Sequence, residues 1–152
     1  MVTYALTVWQ PWASLIVEGI KPFEFRGWCT PDRVIGKRLV IHAARRPVRA
    51  SEIRQAMESL HRGHDDGMKI GPALDLLEAV WRRDRELPLG AGLGTAMLGP
   101  AIECSVLFRD DADVDPDKWG WPLDDVRHWP APVPMAGAQG FWKWPHPLGA
   151  GA

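Results

Sequence analysis

Residues 18–26, Glu-Gly-Ile-Lys-Pro-Phe-Glu-Phe-Arg, constrain the fold most, because they turn a short apolar helix into a strand within a few positions. Gly19 is placed to end the helix, since glycine accepts the left-handed cap without a Cβ penalty. Pro22 fixes its own φ and drives Lys21 toward extended backbone. From Phe23 the pattern alternates, so Phe23 and Phe25 point one way and Glu24 and Arg26 the other. Two aromatics thereby anchor the strand, while an acid and a base share the opposite face with Lys21 in the adjoining turn. Two readings stay open here: a weak surface ion pair, or charges converging on a polar ligand beside a rigid element.

The elements around this stretch follow from periodicity. Residues 2–9 read as a strand, and Trp12, Leu15 and Ile16 form a helical stripe opened by Pro11 and closed by Gly19. Residues 37–44 read as a strand with a continuous apolar centre, ending in His42 and two alanines. Ile53, Ala56, Met57 and Leu60 predict a helix after Ser51. Leu74, Leu77, Val80 and Trp81 predict a second over about 72–86 with those four inward. Gly90, Gly92 and Gly94 imitate a phosphate-binding loop. They follow a helix and open a strand, the reverse of what such a loop requires, so a nucleotide fingerprint is rejected. Ile102, Cys104, Val106 and Phe108 alternate and predict one half-buried strand over 100–108. The acidic run 110–117 lacks the glycine and closing glutamate of a calcium loop and reads as an exposed connection. A strand over 123–129, a proline-rich turn over 130–134 and a last strand over 141–144 complete the chain, and the tail from 146 is expected to fray.

This order gives about six strands and three helices without regular βαβ alternation. The expectation is therefore α+β: a small, mostly antiparallel β-barrel with flanking helices and a helical insert at about 50–87, all within one domain of 1–145. At 152 residues the chain suits one domain. Its net charge of −1 gives no global attraction to a polyanion. The distribution is uneven, with ten Lys/Arg against five Asp/Glu up to residue 62 and eight against fourteen beyond it, which places a basic face in the first part. Some of the nine tryptophans belong to the core, and so many also leave room for indoles that stack on a base or sugar. Cys29 and Cys104 fit no metal-ligand spacing, so neither a structural metal nor a cofactor is expected. A reduced cytoplasmic setting is the expectation, and no apolar run reaches membrane-spanning length.

Three segments together resemble a known family: Leu-Thr-Val-Trp-Gln-Pro-Trp-Ala-Ser-Leu-Ile, then Gly-Ile-Lys-Pro-Phe-Glu-Phe-Arg, then Gly-Lys-Arg-Leu-Val-Ile-His-Ala. With Leu-Asp-Asp-Val-Arg and Gly-Ala-Gln-Gly-Phe-Trp-Lys-Trp near the C-terminus, the chain resembles the ASCH family of the PUA-like superfamily over roughly 1–46 and 95–145. The resemblance implies a small barrel whose cleft binds RNA or a modified nucleoside. Some members are ribonucleases or RNA-binding modules, and shorter ones hydrolyse the amide of N4-acetylcytidine. In that amidohydrolase branch a threonine nucleophile follows the lysine by three residues. Lys21 matches the lysine, but Glu24 occupies the threonine position, which removes that branch's nucleophile.

Two functions of different class follow, beside a third in which the domain is an interaction module with no small ligand. In a binding module, a single-stranded or extruded base stacks on tryptophan, with Trp9, Gln10 and Trp12 among the ligand-binding set. Its phosphate meets Lys21, Arg26, Arg45 or Arg46, and Glu24 or Gln139 reads a base edge. In a hydrolase acting on RNA or N4-acylated cytidine, Lys21 and Glu24 are the catalytic pair and His42 a further acid–base group.

Overall fold

The structure, a computed structural model, describes residues 2–149 and 151–152. Among them are seven strands and four helices: β1 Tyr4–Val8, α1 Trp12–Val17, β2 Phe23–Arg26, β3 Arg38–Ala43, α2 Ala50–His61, α3 Ile70–Trp81, β4 Ala91–Leu98, β5 Ile102–Glu103, α4 Cys104–Leu107, β6 Trp119–Pro134 and β7 Phe141–Lys143. The strands form one mixed sheet in the order β2-β6-β4-β3-β1-β7, with β5 beside β6. Only β1 and β3 run parallel; the other pairings are antiparallel. The sheet curls into a half-barrel flanked by helices, an α+β architecture. Irregular register between β4 and β6 contributes to the curl. There Gly94 is obligatory, because a Cβ would lie 2.3 Å from the Arg127 carbonyl oxygen. The curl brings opposite ends of the strand order together: Trp121 of β6 stacks on Phe141 of β7 at 5.5 Å, and Arg26 of β2 donates to the Thr7 carbonyl of β1 at 3.0 Å.

Both faces of the central strands are covered, which explains the unbroken apolar run in β3. Leu6 and Val8 of β1 and Leu39 and Ile41 of β3 pack with Ala13, Ile16 and Val17 of α1 in the main core. Ala5 and Val40 point the other way, beneath Trp129, Trp142 and Trp144. Helices α2 and α3 share a separate core in which Ile53, Leu60, Ala73, Leu76 and Leu77 pack on Leu15 and Ile20. The insert is thus bolted to the helix and turn that precede β2. No helix of the described residues is long and apolar enough to cross a membrane.

Three local expectations are corrected. The strand predicted over 100–108 is a strand only at Ile102–Glu103 and then the short helix α4. Cys104, Leu107 and Phe108 also fit a helical turn, and Leu107 packs where a Cβ on Gly120 would be 2.5 Å from it. The proline-rich turn at 130–134 is instead a continuation of β6. The Met135 N–H donates to Gly90 O, so the alternating Pro134 and Pro132 turn their missing N–H away from β4 and cost the ladder nothing. Helix α3 buries Ala73, Leu76 and Leu77 rather than Trp81, which is 47% exposed, and the chain leaves the helix before Arg83, whose φ is 61°. Near the C-terminus Leu148 packs on the tryptophan cluster.

Candidate functional site

A cavity of about 760 Å³ opens where the curled sheet fails to close, between β2 and the end of β1. That is within the range of roughly 300–1,000 Å³ typical of ligand sites. Its floor is the turn and strand of residues 21–26. Trp9 and Trp12 form one wall, Trp28 another, and the loop 138–140 closes the side toward β7. Lys118 and Asp66 reach in from opposite loops.

Lys21 is the central group. It is only 5% exposed. Its ammonium lies 4.2 Å from the Phe25 ring centroid and 5.8 Å from that of Trp12. Among the described residues it has no hydrogen-bond acceptor and no carboxylate within ion-pair distance. Burial lowers its pKa from the ordinary 10.5, opposed by the nearby charges of Glu24 and Asp66. A strongly hydrated cation thus keeps solvent only on its cavity side and otherwise has ring faces for company, a costly arrangement that a ligand anion would relieve.

The other charges are better satisfied. Glu24 is buried; one carboxylate oxygen accepts from the Phe25 N–H at 2.9 Å, and the other lies 3.6 Å from Arg26. Arg26 is fixed by Thr7 O and sits over the rings of Trp28 and Trp121, at 5.9 and 5.7 Å. The Trp121 indole in turn donates to Trp28 O at 2.9 Å. The guanidinium is therefore held in place while most of its five donors lack an acceptor among the described residues. The cavity lining carries three cations, Lys21, Arg26 and Lys118, against the carboxylates of Glu24 and Asp66.

Of the residues singled out from sequence, Lys21, Glu24, Arg26, Trp9, Trp12 and Gln139 line this one cavity. Gln10, His42, Arg45 and Arg46 do not. Gln10 is fully buried and ties α1 to the segment after α3: its Oε1 accepts from the Ser14 N–H, and its Nε2 donates to Ser14 Oγ and Pro88 O. His42 is 1% exposed and lies beneath the loop that carries Gln139. Its Nε2 is 2.7 Å from Met135 O. A carbonyl only accepts, so Nε2 holds the proton and Nδ1 accepts from the Thr7 hydroxyl at 3.1 Å. Burial lowers the His42 pKa. Arg45 is exposed and packs over Gly90. Arg46 stacks on Trp9, 3.9 Å from the ring centroid, and is held by both carboxylate oxygens of Glu52. It acts on the cavity through the indole it orients.

Thr7, Phe25, Trp28, Asp66 and Lys118 join the lining without having been singled out as ligand-binding. Asp66 carries a positive φ of 51° and is followed by Gly67 at 82°. The Gly63-to-Gly67 loop was the signal for a sharply turned carboxylate. Lys118 stands alone in an acidic run directly before Trp-Gly-Trp, and that isolation was its signal.

With this geometry in hand, the family is defined. The model of the ASCH domain matches residues 6–85, more than half of the chain, and the chain belongs to that family. It is similar to Activating signal cointegrator 1 of Homo sapiens, 45% identical over 64 residues, and to the Mus musculus protein of that name at 44%. The matched segment is 41% of this chain and 10% of either relative, so the chain matches about a tenth of the length of these curated relatives. Among solved structures, ASCH from Zymomonas mobilis matches at 16% identity and a TM-score of 0.48, over 88% of this chain and 73% of that one.

Proposed function

We propose that this domain binds RNA through a single-stranded or extruded nucleotide, or a modified nucleoside, seated in the cavity above Lys21. The observation that carries the reading is the buried Lys21 ammonium without an acceptor in a ligand-sized space. A phosphate or base oxygen there would supply the missing charge-assisted hydrogen bond. Arg26 presents further donors to the same anion. Trp9 and Trp28, 54% and 53% exposed, give stacking faces at the rim. Stacking contributes about 1–3 kcal/mol per base, and the phosphate contacts add a salt-dependent term. Glu24 and Gln139 line the same cavity and would read a base edge. Helices α2 and α3 carry no continuous basic face of the kind that enters a duplex groove. The test is a titration of labelled single-stranded RNA against a matched duplex at two salt concentrations, with wild type and Lys21→Met. Single strands should bind more tightly, and the variant should lose most of that affinity. Preference for the duplex, or binding indifferent to Lys21, would remove this reading.

The lowered basicity of Lys21 favours a second reading, hydrolysis of RNA or of N4-acylated cytidine. A neutral amine can take a proton, and Glu24, which lines the same cavity, would be the second acid–base group. In that case Glu24→Gln, which keeps shape and removes charge, lowers turnover about 10²-fold with little change in affinity. Absence of product from both substrates with wild-type protein ends this second reading for them.

A further inference from the structure

We propose that the helical insert builds a second subsite, which takes the base and ribose of the nucleotide next to the one held above Lys21. The inference rests on the nucleotide-binding reading of the main cavity. Beyond Trp9 and Trp12 lies a smaller cavity of about 320 Å³. It shares Trp9, Trp12 and Asp66 with the main cavity, so the two spaces adjoin along those residues. Its far wall is one face of α2. Glu52, Gln55, Ala56 and Ser59 fall at i, i+3, i+4 and i+7 and all face it.

The chemistry of this wall differs from that of the main cavity. Among the described residues no lysine or arginine lines it; its titratable groups are the Glu52 and Asp66 carboxylates, which repel a phosphate, and the His64 ring, which lies 3.3 Å from an Asp111 carboxylate oxygen. Glu52 is occupied by Arg46. The Gln55 amide and the Ser59 hydroxyl have no side-chain hydrogen-bond partner among the described residues. Ala56 is small and leaves room between them. Such a wall cannot hold a phosphate, but it offers donors and acceptors to an uncharged group. The cations of the main cavity, Lys21, Arg26 and Lys118, therefore take the phosphate that joins two nucleosides, and the insert takes the second nucleoside. Trp9 stands at the junction, fixed by the Arg46–Glu52 pair, where a stacked base needs a rigid partner.

A dinucleoside monophosphate adds a ribose and a base to a nucleoside 3′-(methyl phosphate) at the same single negative charge, whereas a free 3′-monophosphate carries more. Binding of the four ribonucleoside 3′-(methyl phosphates) and the corresponding homodinucleoside monophosphates should be compared by calorimetry, with wild type and with Gln55→Ala/Ser59→Ala. Thermal melts would establish that both are folded. Wild type should gain about tenfold on going to the dinucleoside, with little dependence on salt. The variant should keep its mononucleotide affinity and lose the gain to within about twofold. Ser59→Leu, which fills the space, should do the same. A gain unaffected by both variants, or no gain in wild type, would overturn the second subsite while leaving the main cavity's function standing. Failure of every mononucleotide and dinucleoside to bind would overturn both.

Discussion

Two aromatic-rich regions lie on either side of Thr7, and each buries a nitrogen base among rings. In the region under Trp142 and Trp144, His42 is part of a closed circuit. The Trp142 indole donates to Thr7 Oγ1 at 3.0 Å, that hydroxyl serves His42 Nδ1, and His42 Nε2 donates to Met135 O. Gly137 sits so close that a Cβ there would be 2.6 Å from the His42 ring. In the cavity on the other side, Lys21 has rings but no acceptor, and space in front of it. Buried polar groups in folded proteins are normally paired; among the described residues the buried side-chain nitrogen without a partner is Trp129 Nε1, beside Trp144, whereas the Lys21 ammonium opens on the cavity. The contrast teaches that burial alone does not mark a site. The closed circuit is packing that holds the loop carrying Gln139, and the incomplete one leaves the Lys21 ammonium facing open cavity.

The largest expected effect breaks the closed side. His42→Ala strands the Met135 carbonyl and the Thr7 hydroxyl and opens a void beside Trp142, for a loss of about 3–5 kcal/mol in denaturant unfolding. His42→Gln, able to donate and accept at similar positions, should recover part of it. Wild-type stability should also depend on pH with a defined sign. The folded pKa of His42 is below the unfolded value of 6.5, so the unfolded chain binds the extra proton. The contribution is complete above about 6.5 and is lost as pH falls through the folded pKa. A His42→Gln protein whose acid limb matches that of wild type would break the assignment of His42 as a neutral, closed group.

The open side should respond in the opposite sense. Lys21→Met replaces an unpaired ammonium by an apolar chain of similar length. The expected result is a gain of about 1–2 kcal/mol in unfolding free energy at neutral pH, with affinity for single-stranded RNA falling about 100-fold. In wild type the folded Lys21 pKa lies below 10.5, so the unfolded chain binds more protons between the two values. Stability should therefore rise as pH climbs through that window, and Lys21→Met should abolish the rise. A phosphate ligand restores the charged form, so binding within the window should take up a proton, readable by calorimetry in buffers of different ionisation heat. Loss of stability in Lys21→Met would place Lys21 with His42 as a packing group and erase the contrast.

How much of this was legible in the sequence follows from the range of the forces involved. Alternation and proline–glycine punctuation act locally, and they predict β1, β2, β3 and the insert's helices. The same local signal misread 100–108, where Cys104 and Phe108 satisfy both the strand and the helix period and Leu107's contact at Gly120 decides. It also misread 130–134, where the side of the strand each proline faces is set by the distant β4. The cavity shows the same division. Lys21, Glu24 and Arg26 lie close in sequence, and their convergence follows from one turn and one strand. Asp66 and Lys118 arrive through long-range closure of the insert and of β6; the Gly63-to-Gly67 turn and a lone lysine in an acidic run single them out, but nothing local places them in this cavity. His42, at a strand end beside two alanines, looks the same from sequence whether the space above it is open or filled. It is filled, by Met135 and Gly137.

The smallest expected effect concerns the two arginines beyond β3. An open cationic rim would make Arg45 and Arg46 contribute affinity that fades with salt. Their placement gives a different outcome. Arg45 is outside the cavity lining and packs over Gly90. Arg46 spends its charge on Glu52 and its flat face on Trp9, and that pairing holds its pKa above the ordinary arginine value. Arg46→Ala should therefore act by freeing the Trp9 ring. Affinity for single-stranded RNA should fall about two- to fivefold, with the slope of log affinity against log salt unchanged. Arg45→Ala should change neither quantity measurably. Arg26→Ala, which removes a guanidinium that does face the cavity, should flatten the slope by close to one contact. Titrations of the three variants across one salt series distinguish the cases. A slope that falls with Arg46 and not with Arg26 would move the phosphate out of the cavity above Lys21 and onto the rim.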